Sequence, residues 1–226
     1  MMEKTQQQLS RKERERLFRR QEIVNAAREV FASRGFTAAT LDDIAERAEF
    51  GKGTLYSYFE SKEELFDTVM SDILDEFVDI AVRTFSMTGK GLEERYLDFA
   101  RAILTHLFDN YGIYHLLMRE MHRMHQQSHL ATILPDFFLI LREPLRAALP
   151  EDADDHFAGQ LGFLFFTMIL SLFRSSLHLL GQLHCSDETA ELQLTPGEVS
   201  ASIDRCITLL RQAFFNGVLS MTKEGK

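Results

Sequence analysis

The sequence predicts an all-α fold, on three observations. Thirty-one Leu stand against seven Val, and unbranched Leu keeps its rotamer freedom on a helix whereas Val favours strands. Apolar residues recur at helical spacing along most of the chain. Two capping boxes, Thr40 with Asp43 and Ser61 with Glu64, each mark the start of a helix.

Taken in order, Ile23, Ala26, Ala27, Val30 and Phe31 form one apolar stripe, and Gly35 follows where a left-handed residue ends a helix. A second, short helix runs from Leu41 to about Ala48 and a third from Lys52 to about Tyr58. Ser61 then opens a long helix carrying Leu65, Val69, Ile73, Phe77 and Ile80. Gly89 and Gly91 break the chain. Further helices are expected over Tyr96 to Leu107, Tyr114 to Gln127, and Phe137 to Leu149 with a kink at Pro144. A very apolar helix follows from about Asp155 to Leu183, then a loop from Cys185 to Pro196. The last helix carries Val199, Ile203, Ile207, Leu210 and Phe214. The expected organisation is a basic arm, residues 1–20, a three-helix module, residues 21–66, and a larger helical domain, residues 67–226.

The formal charge of −9 would ordinarily argue against nucleic acid as a partner. Its distribution removes the objection, because residues 1–20 carry +4 while about −8 lies after residue 70. With 45% hydrophobic residues the chain can bury a core. Two cysteines, Cys185 and Cys206, exclude a disulfide scaffold and a four-cysteine zinc site, and fit a reducing cytoplasm. Residues 1–22 are polar, unlike a secretory signal. The most apolar run, Phe157 to Phe173, contains Gln160, Thr167 and Ser171 and is shorter than the roughly 20 residues of a membrane span. A cytoplasmic protein away from membranes is therefore expected. Nucleophile elbow, phosphate loop, HExxH and paired acids are all missing from the sequence, which points away from an enzyme.

The two short helices carry the functional expectation. Helices under about 12 residues are marginal alone, so these two must pack on each other and on their neighbours through Leu41, Ile44, Ala45, Ala48, Leu55 and Phe59. Two short helices joined by a tight turn have the geometry of a helix-turn-helix. At about 100° per residue, with Leu55 facing inward, Gly53 and Ser57 lie on the outermost line and Thr54 and Tyr56 on its flanks. Small residues let a backbone approach the floor of a major groove, and flanking hydroxyls reach phosphates on its walls. Lys52 can reach a phosphate or a guanine edge, and Lys62 sits in the first turn of the fourth helix, where free N–H groups also favour a phosphate. Spacing alone leaves open a helical hairpin whose polar face has no such role.

The stretch TLDDIAERAEFGKGTLYSYFESKEELF, Thr40 to Phe66, resembles the DNA-binding signature of TetR-family transcriptional regulators, and Ile23 to Thr40 resembles the family's first helix with its Gly-Phe-Thr exit. The resemblance implies that Lys52, Gly53, Thr54 and Ser57 occupy recognition-helix positions, Tyr56 and Tyr58 phosphate-contacting ones, and Lys62 the fourth-helix lysine; Thr40 and Gly51, as helix caps, complete the candidate DNA-binding set. The family's usual Ala-Gly-Val-Ser turn is replaced by Ala48-Glu49-Phe50-Gly51, which puts Glu49 in the left-handed position at a cost of about 1 kcal/mol. The resemblance further implies a ligand-binding and dimerisation bundle, a long helix joining it to the DNA-binding domain, and a two-fold homodimer reading a pseudo-palindromic double-stranded operator. Phe165, Leu172, Ile203, Leu210 and Phe214 on the last two helices are the candidate dimerisation residues.

The expected function is that of a repressor released by a hydrophobic or aromatic small molecule. Candidate effector residues are His106, Met121, Phe137, Phe166, Arg174 and His178, although core packing is the stronger reading for the Phe and Met residues taken singly. Arg174 and His178 could anchor an anionic effector or pair with an acid of a partner subunit. His122, His125 and His129 share a helical face with His115 seven residues before His122, which admits a metal-responsive regulator. No carboxylate or Cys joins them in close register, so a solvated surface is the competing reading and no metal or other cofactor is expected. A helical small-molecule carrier without specific DNA binding is the rival of another class.

Overall fold

The computed structural model describes residues 10–112, 114, 130–151, 153–180 and 194–220, and among these every regular element is a helix. The elements are α1 (Arg11–Ala38), α2 (Leu41–Arg47), α3 (Lys52–Tyr56), α4 (Lys62–Phe85), α5 (Leu92–Asp109), α6 (Leu130–Ala148), α7 (Asp155–Leu179) and α8 (Pro196–Leu210), the last continuing as a π-helical segment, Arg211–Val218. They form two units. The first holds the described residues up to Asp72 with Gly112 and Tyr114; the second holds Ile73–Tyr111 and the described residues from Leu130 on. The chain passes from one to the other inside α4, a few residues beyond the boundary expected after residue 66. The expected helix over Tyr114 to Gln127, Met121, the histidines at 115, 122, 125 and 129, and Cys185 lie outside the described residues, Tyr114 itself excepted.

The first unit begins earlier than the apolar stripe suggests. Ser10 caps α1 by accepting from the Glu13 N–H (3.2 Å), while the Glu13 carboxylate accepts from the Ser10 N–H (2.7 Å). From Arg11 onward the basic arm is therefore the opening of α1, with Glu15 and Arg19 paired along it (2.7 Å). The stripe Ile23, Ala26, Ala27, Val30 and Phe31 is buried as expected, joined by Ile44, Ala45, Leu55, Phe59 and Leu65. Gly35 takes φ 74° and ψ 165°, interrupting α1 one turn before Ala38. Phe31, Phe36 and Phe66 close this core with ring centroids 4.7–5.9 Å apart.

In the second unit α6 packs along α7, with α5 and α8 beside them. Gly162 permits the close approach of α6, since a Cβ there would lie 3.3 Å from the Cβ of Leu141. The fully buried Tyr96 donates its hydroxyl to the carbonyl of Leu141, and burial raises the pKa of that phenol well above its ordinary value. Both Pro135 and Pro144 lie inside α6.

One expectation needs correction here. The apolar helix α7 is 25 residues, long and apolar enough to cross a membrane by length and composition, rather than too short. Its residues Leu161, Phe165, Phe166, Ile169, Phe173 and Leu177 are nevertheless buried in the unit, and a core helix meets the same criteria. Of the candidate dimerisation residues, Phe165, Ile203, Leu210 and Phe214 are buried inside the protomer and Leu172 is half-buried. A helix apolar on several faces does not disclose from periodicity which face its own chain covers. The faces left exposed carry Phe157 (37%), Phe163 (54%) and Leu164 (37%) on α7 and Leu209 (49%) on α8.

Candidate nucleic-acid interface

The geometry of the two short helices starts at Thr40. Its hydroxyl accepts from the Asp43 N–H (3.1 Å), and the Asp43 carboxylate accepts from both the hydroxyl (2.7 Å) and the N–H (3.0 Å) of Thr40. Those bonds, with Arg34 at 2.6 Å, hold the Asp43 carboxyl below its usual range. The Thr40 side chain is thereby engaged as the cap of α2.

The turn between α2 and α3 closes as a Schellman motif. Phe50 N–H bonds to Ala45 O (2.9 Å) and Glu49 N–H to Glu46 O (3.1 Å). Glu49 sits at φ 57°, the left-handed position expected of it, where glycine carries no Cβ penalty. Glu49→Gly is accordingly expected to stabilise the protein by about 1 kcal/mol, read as a higher denaturation midpoint; an unchanged or lower midpoint contradicts it.

Gly51 supplies the N-cap of α3 without a side-chain bond. Leu55 is completely buried, whereas Lys52, Gly53, Tyr56 and Ser57 are exposed and Thr54 and Tyr58 half-buried. The angular arrangement thus matches the one read from spacing. α3 ends at Tyr56, two residues sooner than expected, and Ser57 is its C-cap, donating its hydroxyl to Thr54 O (2.6 Å). Lys52 forms an ion pair with Asp42 of α2, both side chains being more than half exposed.

Lys62 lies elsewhere than its first-turn position suggests. Its ammonium points back at the end of α1, bonding to backbone carbonyls rather than standing in solvent. Ser61 caps α4 by accepting from Glu64 N–H (3.0 Å), but the Glu64 carboxylate reaches Glu60 N–H (2.6 Å), so the second capping box is displaced by one residue. Neither the Asp42 pairing nor the Lys62 contacts could be found from sequence spacing, because both join residues ten or more positions apart.

In the second unit, three candidate effector residues come together. Phe137 and Phe166 (4.9 Å between centroids) both lie against Phe77, the first tilted at 6.3 Å and the second edge-on at 5.8 Å, and Phe77 also meets the His106 ring edge-on at 5.9 Å. His106 Nε2 lies 2.8 Å from a Glu76 carboxylate oxygen at the border of this aromatic group. Glu76 was not among the residues picked from the sequence. Arg174 and His178 are not part of this group; both are exposed on α7, on the side away from its buried residues. Among the described residues no cluster of three potential metal ligands occurs.

The family model described as bacterial regulatory proteins, tetR family, matches residues 23–69. The transcriptional activator FasR of Mycolicibacterium smegmatis is 45% identical over 87 residues, covering 36% of this chain and 40% of its own. The transcriptional repressor KstR2 of Rhodococcus jostii is 36% identical over 77 residues, covering 34% and 36% respectively. The chain thus spans well under half the length of these curated relatives. Among solved structures, the fatty acid degradation regulator FadR of Bacillus halodurans superposes with a TM-score of 0.61 at 17% identity, over 85% of this chain and 94% of that one. A TetR-like regulator from Rhodococcus sp. RHA1 gives 0.60 at 19%, over 86% and 94%. These structural likenesses establish the fold over most of the chain, well beyond the residues that the family model matches.

Proposed function

Since this chain belongs, through residues 23–69, to the tetR family of bacterial regulatory proteins, we propose that it is a transcriptional repressor that binds a pseudo-palindromic operator as a homodimer and is released by a hydrophobic or aromatic small molecule. The observation that carries the proposal is the outward line of α3. Lys52, Gly53, Tyr56 and Ser57 face solvent on a helix whose opposite side, at Leu55, is sealed into the core. A five-residue helix anchored this way presents a small, polar ridge to a groove about 12 Å wide. The basic start of α1 adds a second positive element to the same unit, and the acidic remainder of the chain keeps non-specific attraction low.

α4 begins in the reader and ends in the second unit, so one helix is common to both. The aromatic group around Phe77, Phe137 and Phe166, bordered by His106 and Glu76, is the proposed effector region. Its rings suit an apolar body and its border a polar group on the same molecule. An effector that favours one separation of the two recognition helices shifts the population away from the operator-competent state. Exposed apolar residues at Phe157, Leu164 and Leu209 make α7 and α8 the proposed pairing surface.

The test is binding of the purified protein to a duplex it enriches from a random pool and to a scrambled duplex of equal length. Affinity for the enriched duplex should fall by about 10³-fold between 50 and 200 mM salt. Tyr56→Phe should weaken both duplexes alike by a few-fold, whereas substitutions of Ser57 should change which bases are preferred. Equal, weak binding of both duplexes by the wild type contradicts the proposal.

The ion pair of Lys52 with Asp42 adds an expectation about specificity. An exposed pair is worth at most about 1 kcal/mol, yet Asp42 also places a carboxylate beside the groove-facing lysine. Asp42→Asn is expected to raise affinity for the scrambled duplex by about 2–5-fold. Unchanged affinity for that duplex would show that the carboxylate does not restrain Lys52.

A further inference from the structure

Lys62 opens α4, and its ammonium has three protons to donate. It donates to the carbonyl oxygens of Phe36 (2.8 Å), Ala39 (2.9 Å) and Thr37 (3.4 Å), and it lies 4.5 Å from the centroid of the Phe36 ring. These are carbonyls of the chain where α1 ends, beyond the break at Gly35. The last carbonyls of a helix lack intrahelical partners, and a cation is favoured there by the backbone dipoles. Phe36 is itself fixed, 4.7 Å from Phe66 and 5.9 Å from Phe31.

We propose that Lys62 is a positioning residue of the DNA reader: a clamp that fastens the end of α1 to the start of α4, rather than a phosphate contact. The inference rests on the DNA-binding reading above. The reading segment leaves the clamp at Thr40, one residue after the Ala39 carbonyl, and returns to it at Ser61, one residue before Lys62. α2 and α3 have only seven and five residues, so their orientation depends on how both ends of the segment are held. To serve a phosphate, the ammonium would have to give up its carbonyl bonds and its place over the Phe36 ring. The contribution of Lys62 is therefore to specific recognition, through the placement of Thr40 and α3, and not to the sequence-independent attraction of the backbone.

The test compares wild type, Lys62→Met and Lys62→Arg by amide hydrogen exchange, and by affinity for the enriched and the scrambled duplex over a range of salt. For Lys62→Met, exchange at the amides of Ala39 to Asp43 should accelerate at least about tenfold, and affinity for the enriched duplex should fall about tenfold. Affinity for the scrambled duplex and the slope of log affinity against log salt should not change. Lys62→Arg, which can still donate to carbonyls and stack on Phe36, should restore most of the specific affinity. An equal loss on both duplexes, with the slope reduced by about 0.9 per protomer and exchange unaltered, would overturn the clamp in favour of a phosphate contact. Should the methionine variant not fold, Lys62→Gln decides the matter, because it keeps two N–H donors without the charge: an unchanged slope supports the clamp and a reduced one overturns it. A wild type that enriches no duplex would overturn the DNA-binding reading instead, and the exchange data would then decide the clamp by themselves.

Discussion

Combining Leu164→Asp with Leu209→Asp is expected to give a folded protein that sediments as a monomer and binds the enriched duplex about 10²–10⁴-fold more weakly. Both side chains are substantially exposed in the protomer, at 37% and 49%. Their replacement leaves no cavity, and surface changes of this kind alter stability by less than about 0.5 kcal/mol. In a two-fold interface each change appears twice on facing surfaces, which sets like charges against one another in a desolvated contact. Loss of the dimer removes the second half-site contact, and with it the gain from linking two weak readers. Sedimentation and helicity by circular dichroism are the measurements. A dimer that persists would exclude this face from the contact, and a monomer with undiminished affinity would exclude the two-fold mode of binding.

Phe165→Ala is expected to have the largest effect on stability, a loss of about 3–5 kcal/mol. Its ring is completely buried and lies edge-on to Tyr96 at 5.0 Å and to Phe214 at 4.9 Å, with Phe215 at 6.0 Å. The substitution removes contacts to α5 and to the C-terminal π-helical segment at once, and close-packed helices collapse only partly into such a space. For a chain of this size the loss corresponds to a fall in Tm of about 10 °C. The contrast with Leu164, its neighbour in sequence, separates the two faces of α7. If Phe165 served the dimer contact, its truncation would lower affinity between protomers while leaving monomer stability nearly intact, and a Tm that drops with no dependence on protein concentration rules that out.

The reader was legible in the sequence to the level of single residues, for physical reasons that act locally. The Thr40–Asp43 box, the Gly35 break and the inward Leu55 all follow from backbone conformations or periodicities within four or five residues, whereas the left-handed Glu49 came from the family resemblance. The second unit was legible only as helices. Whether Phe165 or Leu164 faces the protomer's own core depends on where α5, α6 and α8 lie, and no local pattern carries that. The same limit applies to the side-chain pairs. Lys62 was read from its position on α4, but its partners come from α1; Asp42 and Lys52 belong to different helices; and Glu76 with His106 joins α4 to α5. Charges reach several ångströms and choose partners in three dimensions, so their roles follow from the fold rather than from spacing.

The most direct test of the central claim is to incubate the purified protein with a pool of random duplexes and sequence those it retains. The account predicts enrichment of one motif made of two inverted half-sites about one helical turn apart, with base preferences inside each half-site that change on substitution of Ser57. Retention of duplexes without any shared motif, or of a single half-site with no inverted partner, would contradict a dimeric reader of operator DNA.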